Sequence, residues 1–142
     1  MAVRVRLATV GADDVFRVIP ELPLLRIVFP HRPTAASLAE LPDLLEPHFD
    51  AREPRFGLVD LRTLDAASIT ALLRKQAAQM ANEVVRRFGP LVAAEVCFAE
   101  RVAIRGIYLA YSWLVAPASH PRRIFSTEEE ARAYIGTLRS ED

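Results

Sequence analysis

The sequence predicts an α/β domain: a single-layer mixed β-sheet with parallel central strands and helices packed on it. Three observations predict it. The runs Gly57 to Leu61 and Leu91 to Phe98 are almost continuously apolar and β-rich, as strands covered on both faces are. Amphipathic helical stretches lie between and after them, and strands separated by helices pair in parallel through right-handed crossovers. At 142 residues the chain fits one core, and no repeat or Ser/Gly linker divides it, so residues 1–142 read as a single domain.

Each element has its own signal. Val3, Val5 and Leu7 alternate with Arg4, Arg6 and Ala8, the period of a strand with one wet face. Gly11 to Asp14 supplies turn chemistry before a strand at Val15 to Ile19, and Pro20 and Pro23 break the chain before Leu24 to Phe29. Residues 1–30 thus read as a meander of short antiparallel strands. Thr34 caps a helix carrying Leu38, Leu41, Leu44 and Leu45. Pro42 predicts two short pieces there, the second starting at the proline. Phe56 to Leu61 is the expected central strand.

The clearest helix runs from about Ala66 to Phe88. Ile69, Leu73, Ala77, Met80, Val84 and Phe88 form its inward stripe, with Arg74, Lys75, Gln79, Asn82 and Arg86 on the other side. Gly89 and Pro90 end it. After the Leu91 to Phe98 strand come a helix over Arg101 to Val115 and a short strand over Arg122 to Phe125. The last helix opens on Ser126-Thr127-Glu128-Glu129-Glu130, where Thr127 and Glu130 fit a capping box and the acids suit the positive helix end. Ala131, Tyr134, Ile135 and Leu138 point inward.

Eighteen basic side chains balance eighteen acidic ones, which removes the bulk electrostatic argument for nucleic acid or an anionic membrane as a partner. Cys97 has no second thiol for a disulfide or a zinc set, and MAVRVRLATV lacks the apolar core of a secretory signal, so a cytoplasmic location is expected. The longest apolar stretch, Val102 to Ala116, is interrupted by Arg105 and shorter than the roughly 20 residues that span a bilayer. No integral membrane segment is expected.

Two stretches carry a resemblance. GLVDLRTLDAASITALL, from Gly57 to Leu73, resembles the strand, loop and helix of STAS domains, the fold of bacterial anti-sigma-factor antagonists. From Val102 the apolar helix, PASHPRRIF and STEEEARAYI are similar to bacterial STAS-like proteins related to CRAL-TRIO lipid-transfer domains. The resemblance covers about residues 57–138. It implies a regulatory or scaffolding module that works through protein contact, or alternatively a binder that holds an apolar or lipid-like molecule between the 101–115 helix and the sheet.

One departure is informative. STAS antagonists follow the strand with an Asp-Ser-Ser-Gly-like sequence whose first serine accepts phosphate at a helix N-terminus. The matching residues here are Leu64-Asp65-Ala66-Ala67-Ser68-Ile69, so Ala66 stands at the acceptor position without a hydroxyl. Any switch in this loop falls to Asp65, Ser68 or Thr70. The ordinary reading of these three is a helix cap and first-turn hydroxyls.

No catalytic constellation is legible. His31, His48 and His120 are far apart, sit beside or near prolines and lack metal-ligand spacing, which reads as loop histidine. Cys97 lies in an apolar strand, where a thiol behaves as a small hydrophobe. The five glycines are scattered, with no phosphate-binding loop. Asp60 and Asp65 flank a loop beyond a central strand, with no visible partner for either. Neither enzymatic activity nor a metal or cofactor is expected.

The 101–115 helix is too apolar for one sheet to cover unless adjacent helices pack on its flanks, which is the ordinary reading; the alternative is a contact surface for another protein, a second copy or an apolar ligand. Arg101, Arg105 and Ser112 share a polar strip, and Ala103, Ile107, Ala110 and Leu114 lie opposite as the expected core face. Val102, Leu109 and Trp113 fill one flank; Ile104, Tyr108 and Tyr111 fill the other. The expected interaction surface is Val102, Leu109 and Trp113 with Arg101 and Arg105, facing a protein partner or a second copy in a homodimer.

Overall fold

The computed structural model describes residues 15–140. The expected strand from Val3 and the turn at Gly11 to Asp14 lie outside them. Strands β1 (Arg17–Glu21) and β2 (Leu24–Val28) form an antiparallel hairpin. Helices and strands then alternate: α1 (Ala35–Leu45), β3 (Arg55–Asp60), α2 (Ala71–Phe88), β4 (Val92–Phe98), α3 (Val102–Ser112), β5 (Arg122–Phe125) and α4 (Glu128–Ser140). The sheet runs β1-β2-β3-β4-β5, and every pairing after the hairpin is parallel. The class is α/β with a mixed sheet, and the two apolar runs form its inner strands β3 and β4.

The sheet sorts its side chains by row. Leu25, Gly57, Glu95 and Arg122 stand side by side across β2 to β5, and Ile27, Val59, Cys97 and Ile124 form the next row on the same face. Helices α1, α2 and α3 cover that face, burying Leu38, Leu41, Leu45, Leu73, Phe88 and Ile104 in the larger core. The opposite face presents Leu24, Phe56, Leu58, Ala94, Val96 and Phe98, and α4 covers it with Ala131 and Ile135.

Four local expectations are corrected. Pro20 lies inside β1 rather than ending a strand; β1 has one partner among the described strands, the placement in which a strand tolerates proline. Pro42 lies inside one continuous helix, because burying Leu38, Leu41, Pro42 and Leu45 on one face outweighs the lost backbone bond. Thr34 does cap this helix, its hydroxyl accepting from the Ser37 N–H.

The third correction concerns the start of α2. Ala66 to Ser68 form a short 3-10 turn capped by Asp65, Ile69 is extended, and Thr70 is the N-cap, its hydroxyl accepting from the Leu73 N–H at 3.0 Å. Polar side chains that bond nearby backbone break the helical register there. The fourth concerns α3. Its core face is Ile104, Ile107, Tyr108 and Tyr111, while Ala103 and Leu114 are exposed. Turning the two tyrosines inward buries far more apolar area than turning in two alanines.

Candidate functional site

A cavity of about 140 Å³ lies between the sheet and helices α1 to α3. Leu25, Ile27, Val59 and Cys97 form part of its floor, and Ala77, Met80, Val84 and Ile107 part of its roof. Gly57 opens it: the row Leu25, Gly57, Glu95, Arg122 has no side chain at its second position. A Cβ there would stand 3.4 Å from the Ala94 carbonyl oxygen and 3.9 Å from Ile27 Cδ1. The lining is apolar except at a few places. An apolar cavity of roughly 150 Å³ stays dry and accepts benzene in another protein, so this one has room for a molecule of that class.

One end of the cavity is polar. Glu95, Tyr108, Tyr111, His120 and Arg122 all line it. The Tyr108 hydroxyl donates to Glu95 Oε2 at 3.1 Å. Arg122 Nη1 donates to the Ala116 carbonyl at 3.2 Å, while its Nε stands 3.8 Å from Glu95 Oε1, too far for a hydrogen bond. That Nε–H is buried and has no acceptor among the described residues.

The groups around the Glu95 and Arg122 pair are uncharged at this end. Burial, and then the neighbouring Arg122, push His120 down to about 4, so its ring is neutral at pH 7. Burial raises the Glu95 carboxyl against the pull of Arg122 and Tyr108. Burial also raises Tyr108, Tyr111 and the Cys97 thiol, which all stay protonated. A protonated thiol and phenol are poor nucleophiles. His120, expected as a loop histidine, is in a loop but half-buried against the cavity.

The residues singled out by sequence lie elsewhere. Val102 and Leu109 lie on the outer flank of α3, 74% and 53% exposed, and Trp113 and Leu114 follow just past its end, 76% and 49% exposed. Arg101 is the exposed N-cap of α3. Arg105 is half-buried and donates through Nη1 to the carbonyls of Ala99 and Glu100, both at 2.8 Å, which ties the helix to the end of β4. In the 65–70 loop Asp65 accepts from the Ala67 N–H and pairs with Arg32 at 3.3 Å, Ser68 donates to the Asp65 carbonyl at 2.7 Å, and Thr70 caps α2. Loop and cavity share Ile69 but no hydroxyl.

Asp60 does have partners. It is 5% exposed and accepts from Arg26 at 3.0 Å and from the Arg62 backbone N–H, Nε and Nη2 at 3.0, 3.1 and 2.8 Å. Glu128, at the start of α4, accepts from Arg26 at 2.7 Å. Both guanidiniums lie over the Phe98 ring, 5.7 and 5.1 Å from its centre. Burial raises the Asp60 carboxyl, but the Arg62 and Arg26 contacts outweigh it and hold the group below its ordinary value. Arg26 and Arg132 bring Glu128 to about 2. These acids anchor α4 to the sheet, and neither is free to act as a base at pH 7.

Sequence reasoning missed the polar end of the cavity. Its signal was present: Glu95 is the one charged residue in an apolar strand run that both faces of the sheet must bury. Among the described residues no group of three His, Cys, Asp or Glu is placed to hold a metal ion, and no helix is long and apolar enough to cross a membrane. Comparison with models of protein families, with curated proteins and with solved structures gives no match to the chain.

Proposed function

We propose that this chain is a STAS-like, non-catalytic module that binds a small apolar molecule between α3 and the sheet. The observation that carries the reading is the cavity of about 140 Å³. Left empty, a hole of that size costs roughly 24 cal/mol per Å³, or about 3 kcal/mol, a large share of the stability of a single domain. A ligand that fills it restores those contacts. The order of hairpin, helix, strand, helix, strand, helix, strand, helix supports the STAS-like part of the reading. Thermal melting with saturating toluene tests it. Binding raises the melting temperature, and no shift at millimolar toluene removes the proposal.

A second reading rests on a different surface. Val102 and Leu109 on the outer flank of α3, with Trp113 and Leu114 just past its end, are large apolar side chains left exposed, and exposed apolar surface of this kind marks interaction sites where it is contiguous. This surface supports the regulatory role through a protein partner or a second copy. Ala66 lacks the hydroxyl of the STAS phosphoacceptor, so such contact is not gated by phosphate at that position. Sedimentation of the purified protein tests self-association, and a strictly monomeric species up to about 100 μM removes the homodimer.

A further inference from the structure

We infer that the molecule held in the cavity is a small apolar carboxylate, an acid with one ring or a short chain, whose anionic end pairs with the Arg55 guanidinium. The inference rests on the cavity being a ligand site and adds the chemical class that its charged lining selects.

Arg55 opens β3 and is 6% exposed, yet its acidic neighbour stands in solvent. Nε donates to the His48 carbonyl at 3.2 Å. Nη1 makes two long contacts, both at 3.4 Å, to the Pro54 carbonyl and to Glu53, whose side chain is 70% exposed. A pair so loose and so wet contributes little. Nη2 has no acceptor among the described residues, and it keeps accessible surface where the Arg122 Nε has almost none. A buried guanidinium is costly until its charge and its N–H groups are matched, and a carboxylate matches its planar fork. The open space begins beside it. Arg55 and Gly57 both line the cavity and are successive residues on one face of β3, so about 7 Å separate them. A ring lying over Gly57, against Leu25, Ile27 and Val59, brings its carboxylate to Arg55.

The lining is cationic whichever form Glu95 takes. Arg55, Arg74 and Arg122 face Glu95 as the single acid among the lining residues, and His120 is neutral at pH 7. With Glu95 ionised and Glu53 counted as well, three positive charges meet two negative ones; with Glu95 protonated the excess grows. Arg122 is not the group on offer. Its Nη1 donates to the Ala116 carbonyl, and its Nε is closed off and faces Glu95. Arg74 has no ion pair among the described residues, but it is half-buried near the start of α2, where water also reaches it. Arg55 is therefore the cation that gains most from an anion in the cavity.

Three probes of one size separate the possibilities: toluene, benzamide and benzoate. Benzamide has the shape of benzoate without its charge, and toluene has neither a charge nor a polar end. Titrations of the wild-type protein at pH 7, followed by backbone amide NMR, should show benzoate binding about tenfold tighter than benzamide, the preference that hydrogen bonds between charged groups give. Arg55→Gln should abolish that preference and leave toluene binding unchanged. Arg74→Gln should leave all three affinities unchanged. If Arg55→Gln fails to fold, the Arg55 Nε–H signal of the wild-type protein decides, and benzoate should shift it further than benzamide does.

Benzamide binding as tightly as benzoate overturns the carboxylate inference and leaves the cavity reading standing. A benzoate preference that survives Arg55→Gln or disappears in Arg74→Gln, or an Arg55 signal unmoved by bound benzoate, overturns the role of Arg55. Failure of all three probes to bind removes the cavity as a ligand site, and this inference with it.

Discussion

Replacing Ala77 with leucine tests whether the space above the sheet is real. Ala77 lies on the inward stripe of α2 and lines the cavity. Leucine adds three carbons. If they enter open space, burial contributes about 0.8 kcal/mol each, some 2.4 kcal/mol, less up to about 1 kcal/mol for fixing the leucine rotamer. The expected gain is therefore about 1.5 to 2 kcal/mol. Were the region packed to ordinary density, the same carbons would force neighbouring side chains off their rotamers and cost about 1 to 3 kcal/mol. The two cases differ in sign. Urea denaturation reads it: with a slope near 2 kcal/mol per molar, the midpoint should rise by close to 1 M with the slope unchanged. Toluene should no longer raise the melting temperature of this variant. A lower midpoint refutes the cavity, and a higher midpoint with undiminished toluene binding refutes its assignment as the binding site.

Other outcomes follow from single residues. Trp113→Ser should leave the melting temperature nearly unchanged, because the indole is 76% exposed and surface changes fall within about 0.5 kcal/mol; if α3 mediates self-association, sedimentation of the same variant shows the loss, and a collapsed melting temperature would place the indole in the core. Asp60→Asn should cost about 3 kcal/mol in urea denaturation, since it leaves Arg26 and Arg62 without their shared buried carboxylate; a loss below 1 kcal/mol would show that Glu128 alone suffices. Thr70→Ala should cost about 1 kcal/mol through the lost cap on the Leu73 N–H, with Thr70→Ser close to wild type. His120 titrates near 4 in the folded protein and near 6.5 when unfolded, so the unfolded chain takes up its proton first. Stability should then be full above pH 6.5 and fall as pH drops towards 4, and urea midpoints of His120→Asn should flatten over that window. Below it, Asp60 and Glu128, whose folded-state values are depressed, extend the loss towards pH 2.

The parts legible in the sequence are those where one physical demand dominates. Gly57 to Leu61 and Leu91 to Phe98 had to be inner strands because nothing in them except Asp60 and Glu95 tolerates water well. The α4 start could be read residue by residue, since a cap acts over four positions: the Thr127 hydroxyl accepts from the Glu130 N–H at 3.1 Å. What stayed hidden depends on several elements at once. Which flank of α3 turns inward is decided by the shape of the space above β4 and β5. The course through Pro42 is decided by its burial with Leu38, Leu41 and Leu45, which no local propensity contains. The polar end of the cavity joins Glu95, Tyr108, His120 and Arg122 from β4, α3, the following loop and β5, and no spacing in one dimension connects them.

The sheet is unevenly covered, with three helices on one face and α4 on the other, and synthesis order gives this a consequence. A chain emerging from the ribosome completes all five strands and their three-helix layer before residue 128 appears. Until then Phe56, Leu58, Val96 and Phe98 form an apolar plane that no helix among the described residues covers. That plane is thus most prone to sticking after the described strands have paired and before α4 docks. Arg26, waiting 102 positions upstream of Glu128, is the electrostatic latch that brings α4 down onto that plane.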